Sequence, residues 1–325
     1  MRILVVGAGN LGLACAAKMV AQGDEVVLYT SSPQKWSELV MVEDMNGIQC
    51  GGRLSRITSD PSCARSVDIV FLCLPGHVLF SKLSALKPYL NPGTPVCSVF
   101  CGDGFFFVAE KVLGTAWPVL GFQRVPYICR TKIPYRVGGI LGGRDRLALA
   151  QRNIQNPESW RSYFENLFST QTSLLENYYD AALINGNVVM HPARIMSLKR
   201  QLETDGPFAR MPLFYEEWDD YASELAIKID DEVCQVADRK GARLIPFMEY
   251  YGVSDAASLT RKIRSIPAFK GIGSPVDDKG LLDENSRYIQ ADIFIALKNV
   301  VKLGEEEGVQ TEVSTMILGT FSNSY

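Results

Sequence analysis

Apolar residues fall into two rhythms along the chain, and the change of rhythm divides it. In the first half, short unbroken β-branched runs alternate with stretches of helical spacing. Residues 3–6 form the first run, as expected of a strand covered on both faces in a parallel sheet. Leu11, Ala14, Cys15, Met19 and Val20 then recur at helical spacing, Gly23-Asp24 closes that helix, and a second strand follows over residues 25–29. Further strand signals at residues 68–74 and 95–100 continue the alternation of a doubly wound parallel sheet. Beyond about residue 172 convincing strands disappear, and residues 178–187, 221–240 and 292–307 read as helices. The pattern predicts an α/β domain over residues 1–172 followed by an all-α domain over residues 173–325.

The turn between the first strand and the first helix reads Gly7-Ala8-Gly9-Asn10-Leu11-Gly12. A Gly-x-Gly-x-x-Gly string is weak alone, but this one leaves a strand and opens a helix inside a βαβ unit, the context of a dinucleotide-binding Rossmann domain. Gly7 permits the tight turn, Gly9 lets the backbone approach a pyrophosphate, and Gly12 lets the helix lie close to the strand. Asn10 and Leu11, inside the turn, belong to the same site, as do Leu74 and Pro75, which end a later strand bordering the crevice. An NAD-specific enzyme usually carries an acid at the tip of the second strand. This chain has Tyr29-Thr30-Ser31-Ser32 there, and Thr30, Ser31, Ser32 and Lys35 suit the extra phosphate of NADP, so NADP(H) is favoured over NAD(H).

Composition narrows the partners. With 33 basic and 36 acidic residues the formal charge is -3, so no positive excess attracts nucleic acid or an anionic membrane. No apolar run approaches the roughly 20 residues that span a bilayer, and no export leader precedes the first strand, so a cytoplasmic protein is expected. The eight cysteines are scattered without a Cys-x-x-Cys pair and read as buried reduced thiols. Neither of the two histidines, His77 and His191, stands at metal-ligand spacing from a cysteine pair, so no metal is expected. A homodimer is left open by the composition.

His191 is the single histidine of the second half, and it precedes Pro192. A residue before proline is disfavoured in the helical region, so His191 is expected where a helix starts, ends or breaks. The glycine turn, Val125-Pro126-Tyr127-Ile128-Cys129-Arg130, Asn187 to Pro192, Phe214-Tyr215-Glu216 and Arg287-Tyr288-Ile289-Gln290-Ala291-Asp292, in this order, together resemble the octopine/nopaline (opine) dehydrogenase family. The likeness spans nearly the whole chain, and its most specific part is Asn-x-x-x-His-Pro followed by Arg-Tyr-x-x-x-Asp. It implies a Rossmann domain joined to a helical domain, and reductive condensation of an amino acid with a 2-oxo acid using NADH or NADPH. It also implies that His191 is the acid/base, Asp292 its carboxylate partner and Arg287 the grip on a substrate carboxylate, with Asn187 and Arg130 near the substrates. Where this family commonly has Arg-Tyr-x-x-Glu-Asp-x-Pro-Tyr, the chain has Ala291 before Asp292 and Ile293-Phe294-Ile295 after it.

In one unbroken α-helix Arg287 and Asp292 would point about 140° apart. Joint service to one substrate therefore requires the helix to begin between them. Taken alone, Arg287 reads as a surface ion pair and Asp292 as a charge on the first helical turn. Two other functions fit the outline. One is a ketopantoate reductase or glycerol-3-phosphate dehydrogenase type of reductase, which relies on a lysine early in the helical domain. None occurs between Glu176 and His191; the first is Lys199. The other is a sensor that binds NADP(H) without turnover.

Overall fold

The opening apolar run forms strand β1 (Arg2–Val6), and the glycine turn leads into helix α1 (Asn10–Ala21) and strand β2 (Glu25–Tyr29). The computed structural model describes residues 1–102, 104–183 and 186–322. Along β1 the side chains alternate between two apolar cores: Ile3 and Val5 join Leu13 of α1 on one face, and Leu4 and Val6 face the other way. That two-sided burial is why the run is continuously apolar.

The chain continues through β3 (Leu39–Glu43), β4 (Gln49–Arg53), β5 (Arg56–Thr58), β6 (Ile69–Leu72), α2 (Gly76–Leu86), β7 (Val96–Ser98), α3 (Phe105–Leu113) and β8 (Val119–Phe122). It then forms β9 (Tyr127–Ile133), β10 (Val137–Gly143), β11 (Arg146–Arg152), α4 (Pro157–Phe168), β12 (Gln171–Leu174) and the short α5 (Tyr179–Ala182). The main sheet has eight strands in the order β12-β11-β8-β7-β6-β1-β2-β5. From β5 to β8 the pairs are all parallel, and the direction of winding reverses at β1 and β6. In an open α/β sheet the ligand crevice lies at that reversal, at the carboxyl ends of the strands.

Two features depart from the expected wholly parallel sheet. Strand β11 runs antiparallel to β8, with β12 beside it. A second sheet of four strands, order β4-β3-β10-β9, lies over α1, with Val40 and Val42 in the same core as Leu13. Glycines at 51, 52, 138, 139, 142 and 143 interrupt the apolar alternation of β4 and β10, which hides these strands from a periodicity reading.

Residues Met1–Ala182 form one compact unit and Leu183–Tyr325 a second. The division falls after residue 182 rather than 172, because β12 extends the main sheet through its register with β11 and the Gln123 amide holds α5 by donating to the Asp180 carbonyl at 3.0 Å. The expected helix over residues 178–187 is α5 at its start; its residues 184 and 185 lie outside the described residues.

The second unit comprises α6 (Gly186–Asp205), α7 (Asp220–Arg239), α8 (Phe247–Tyr251), α9 (Ala256–Ser265), a π-helical segment (Tyr288–Leu297), α10 (Lys298–Glu307) and α11 (Glu312–Ser322). Among its described residues the only strand-like pairings are isolated bridges, Leu213 with Gly273 and Val276 with Leu282. The amphipathic stretch at 221–240 is α7, capped by Asp219, whose carboxylate accepts from the Ala222 N–H at 2.8 Å. On α7 the buried Glu232 carboxylate accepts from the Val313 and Ser314 N–H groups and the Ser314 hydroxyl, capping α11 and tying the two helices together.

Candidate active site

At the end of β1 the chain turns at Gly7 with φ +97°, where a side chain would stand 2.5 Å from the Cys73 carbonyl oxygen. Backbone bonds from the Gly7 N–H to the Tyr29 carbonyl and from the Cys73 N–H to the Val6 carbonyl lock this corner between β2 and β6. Gly12 is tighter still: a Cβ there would lie 1.9 Å from the Gly7 carbonyl oxygen. Around Gly9, by contrast, nothing lies within 4 Å of an added Cβ, and no side chain caps the start of α1. A turn closed beneath by Gly7 and Gly12 and open above Gly9, with uncapped helical N–H groups, fits a dinucleotide pyrophosphate.

Around this turn the Asn10 side-chain oxygen accepts from the Thr131 hydroxyl of β9 at 2.6 Å, and Leu11 packs into the core. Leu74 lies against Gly7, and Pro75 caps the start of α2. Beyond β2, Thr30 donates its N–H to the Thr58 carbonyl, and its hydroxyl accepts from the Ser32 N–H. Ser31 and Lys35 are exposed, with the Lys35 ammonium 5.9 Å from the Tyr135 ring. Arg130 also belongs to this unit; it is exposed on β9, and its guanidinium donates to the adjacent Cys129 carbonyl.

The helical unit gathers a different chemistry. His191 lies within α6 and not at a helix end, since the helix runs from Gly186 to Asp205 through Pro192. Tertiary packing overrides the local preference here. Pro192 falls early in the helix, where its missing N–H removes only one bond, to the Val188 carbonyl, and the segment from Val188 to Ile195 is buried. Asn187, one turn before His191, lies on the same side of α6.

The His191 ring is buried and bonded at both nitrogens. Nδ1 is 2.6 Å from Asp292 Oδ2, and Nε2 is 2.9 Å from the Tyr215 hydroxyl. The carboxylate can only accept, so it fixes the proton on Nδ1, and in the neutral ring Nε2 accepts from the phenol. Phe214 and Tyr288 pack edge-on around the imidazole, with centroids 5.4 and 4.6 Å away, and stack on each other at 4.7 Å.

Asp292 comes from the π-helical segment, for which Arg287 is the N-cap residue at φ -58°, ψ -28°. The expected break between Arg287 and Asp292 is absent because the backbone is already helical at Arg287. Widened winding with i-to-i+5 bonds takes its place. Asp292 is buried and bonded to His191, while Arg287 at the start of the segment is exposed with its guanidinium 5.3 Å from the Tyr288 ring. The sequence reading assigned no role to Tyr215, although it stands in Phe214-Tyr215-Glu216. Burial pushes its phenol above the ordinary range, Tyr288 adds to that, and the Arg287 charge opposes it.

A Rossmann sheet with an open glycine turn and a helical unit with a buried imidazole–carboxylate pair are the two parts of an NAD(P)-dependent dehydrogenase. Comparison with known proteins agrees at both ends. Residues 2–102 match the family described as NADP oxidoreductase, coenzyme F420-dependent, and residues 174–324 match the α-helical domain of NAD/NADP octopine/nopaline dehydrogenase. Opine dehydrogenase from Haliotis discus hannai is 23% identical over 95% of this chain and 86% of its own. Tauropine dehydrogenase from Arabella iricolor is 24% identical over 95% and 87%. A structure of octopine dehydrogenase with NADH and L-arginine, 22% identical, superposes with a TM-score of 0.83 over 100% of this chain and 89% of that one. The match of the helical unit to the octopine/nopaline dehydrogenase model and the likeness to opine and tauropine dehydrogenases over 95% of the chain point to the same class of enzyme. Among the described residues no helix is long and apolar enough to cross a membrane.

Proposed function

We propose that the protein joins the amino group of an amino acid to the carbonyl carbon of a 2-oxo acid and reduces the resulting imine. The observation that carries this reading is the bond from His191 Nδ1 to Asp292, which prepares Nε2 for proton transfer. His191 takes a proton as the substrate ammonium becomes a nucleophilic amine and returns one as the carbinolamine loses water. The Asp292 carboxylate orients the ring and supports the imidazolium. NAD(P)H, when bound, supplies the hydride to the imine carbon. Arg287 suits a bidentate hold on the 2-oxo acid carboxylate, Arg130 a second anionic group, and Asn187 a contact near the nicotinamide or substrate.

The assay is cofactor absorbance. NAD(P)H oxidation should require an amino acid and a 2-oxo acid together; equal oxidation with the 2-oxo acid alone would defeat the proposal. Arg287→Ala should raise the KM for the 2-oxo acid about a hundredfold while leaving cofactor affinity unchanged, since a charge-assisted bidentate contact contributes about 1.5–3 kcal/mol.

For the cofactor, NADPH is the proposed preference. Thr30, Ser31, Ser32 and Lys35 offer hydroxyls and a cation beyond β2, with no acid within that stretch. Lys35→Glu should weaken NADPH about tenfold or more in a fluorescence titration and leave NADH nearly unchanged. Equal weakening of both would mark Lys35 as indifferent to the phosphate.

A further inference from the structure

His191 has no free nitrogen. Asp292 holds Nδ1 and Tyr215 holds Nε2, two aromatic rings pack around it, and only 1% of the residue is exposed. A buried acid/base must still pass protons to a substrate, and the group standing beyond Nε2 is the Tyr215 hydroxyl.

That hydroxyl is held firmly. The Phe214 N–H donates to the Ile272 carbonyl at 2.7 Å, and the Trp218 N–H to the Tyr215 carbonyl at 3.2 Å. The Glu216 carboxylate accepts from the Gly271 N–H at 2.7 Å. The Tyr215 ring itself stacks on Phe269 with centroids 4.1 Å apart and planes inclined 19°. Turning the phenol away from His191 would break that stack. The Arg287 guanidinium lies 5.3 Å from the ring of Tyr288, which itself packs against the His191 imidazole, so a carboxylate held by Arg287 is brought to the neighbourhood of the dyad.

We propose that Tyr215 is a catalytic residue that hands the proton between His191 and the reacting substrate, completing a chain Asp292, His191, Tyr215. This rests on the reading of His191 as the acid/base. In dehydration, the Tyr215 O–H bond breaks as its proton joins the leaving hydroxyl of the carbinolamine, and the Nε2 proton moves to the tyrosine oxygen. Water departs, the imidazole is left neutral, and no electron is transferred. When the ammonium is deprotonated the same two protons move the other way. Burial keeps the phenol un-ionised, so it serves both directions as a neutral hydroxyl.

Tyr215→Phe keeps the ring and its stack and removes only the hydroxyl. Its kcat should fall about a hundredfold, with KM and NAD(P)H binding unchanged, because positioned proton transfer contributes about 10²–10⁴-fold. In mixtures of light and heavy water, kcat should depend on deuterium fraction along a curve for wild type, two protons being in flight, and along a straight line for the variant. Tyr215→Ala should regain turnover with added phenol and not with benzene; equal rescue by both would mark a packing role and overturn the proposal. Full kcat in Tyr215→Phe, with KM unchanged or lowered, would show that substrate displaces the hydroxyl and meets His191 directly. His191→Asn separates the two readings. If it is inactive while Tyr215→Phe is not, the relay fails and the acid/base role stands; if it is fully active, the acid/base role fails.

Discussion

His191→Asn is expected to lower kcat about a thousandfold while NAD(P)H still binds, since the Rossmann turn lies in a unit that folds around its own cores. The asparagine amide can donate to Asp292, as Nδ1 does, but it carries no proton that ionises near neutrality. Asp292→Asn should cost at least about a hundredfold for a different reason. The carboxamide can donate as well as accept, so it releases the tautomer that the carboxylate enforces across 2.6 Å and leaves Nδ1 free to lose its proton. Steady-state rates at saturating substrates, beside a fluorescence titration of NAD(P)H, check both. Equal rates for wild type and His191→Asn would remove the imidazole from the mechanism.

The glycine turn gives the second large effect, and two of its residues should fail in opposite ways. Gly12→Val places a side chain 1.9 Å from the Gly7 carbonyl oxygen, which is backbone and cannot step aside without moving α1 from β1. Overpacking of this kind costs about 1–3 kcal/mol or more, so the variant should melt several degrees lower and bind cofactor poorly. Gly9→Val meets nothing within 4 Å, so the fold should melt as wild type does. The valine would occupy the space over which a pyrophosphate approaches, and NAD(P)H affinity should fall about a hundredfold or more from loss of charge-assisted backbone contacts. A Gly9→Val protein that binds cofactor normally would remove the phosphate role of this turn.

Much of the first unit was readable because its physics is local. The run at 3–6 is apolar throughout since both faces of β1 are covered, and the turn, α1 and β2 follow with their expected bounds to within a residue or so. The strands over α1 were not readable, because β4 and β10 carry glycine where alternation would show. The first unit runs ten residues further than the apolar pattern suggested, since only pairing with β11 reveals β12 as part of the sheet.

In the second unit the residue types were legible and their arrangement was not. His191 stood out as the unit's single histidine, and Arg287 and Asp292 only through the family resemblance, yet Pro192 suggested a break where α6 is continuous. The five-residue spacing suggested a break where the backbone widens into π-winding. Both are tertiary outcomes that dipeptide preference and helical arithmetic cannot see. Tyr215 lies 24 positions from His191 in the chain, and nothing in its neighbours announces that its hydroxyl meets an imidazole.

The central claim is a condensation, and the product tests it most directly. The protein should be supplied with NADPH, a 2-oxo acid and an amino acid labelled with ¹⁵N on its α-amino group, and the products weighed by mass spectrometry. The account predicts a single secondary amine that retains the ¹⁵N and joins both carbon skeletons, formed with one NADPH consumed per molecule. A hydroxy acid formed from the 2-oxo acid, with the labelled amino acid recovered unchanged, would contradict it.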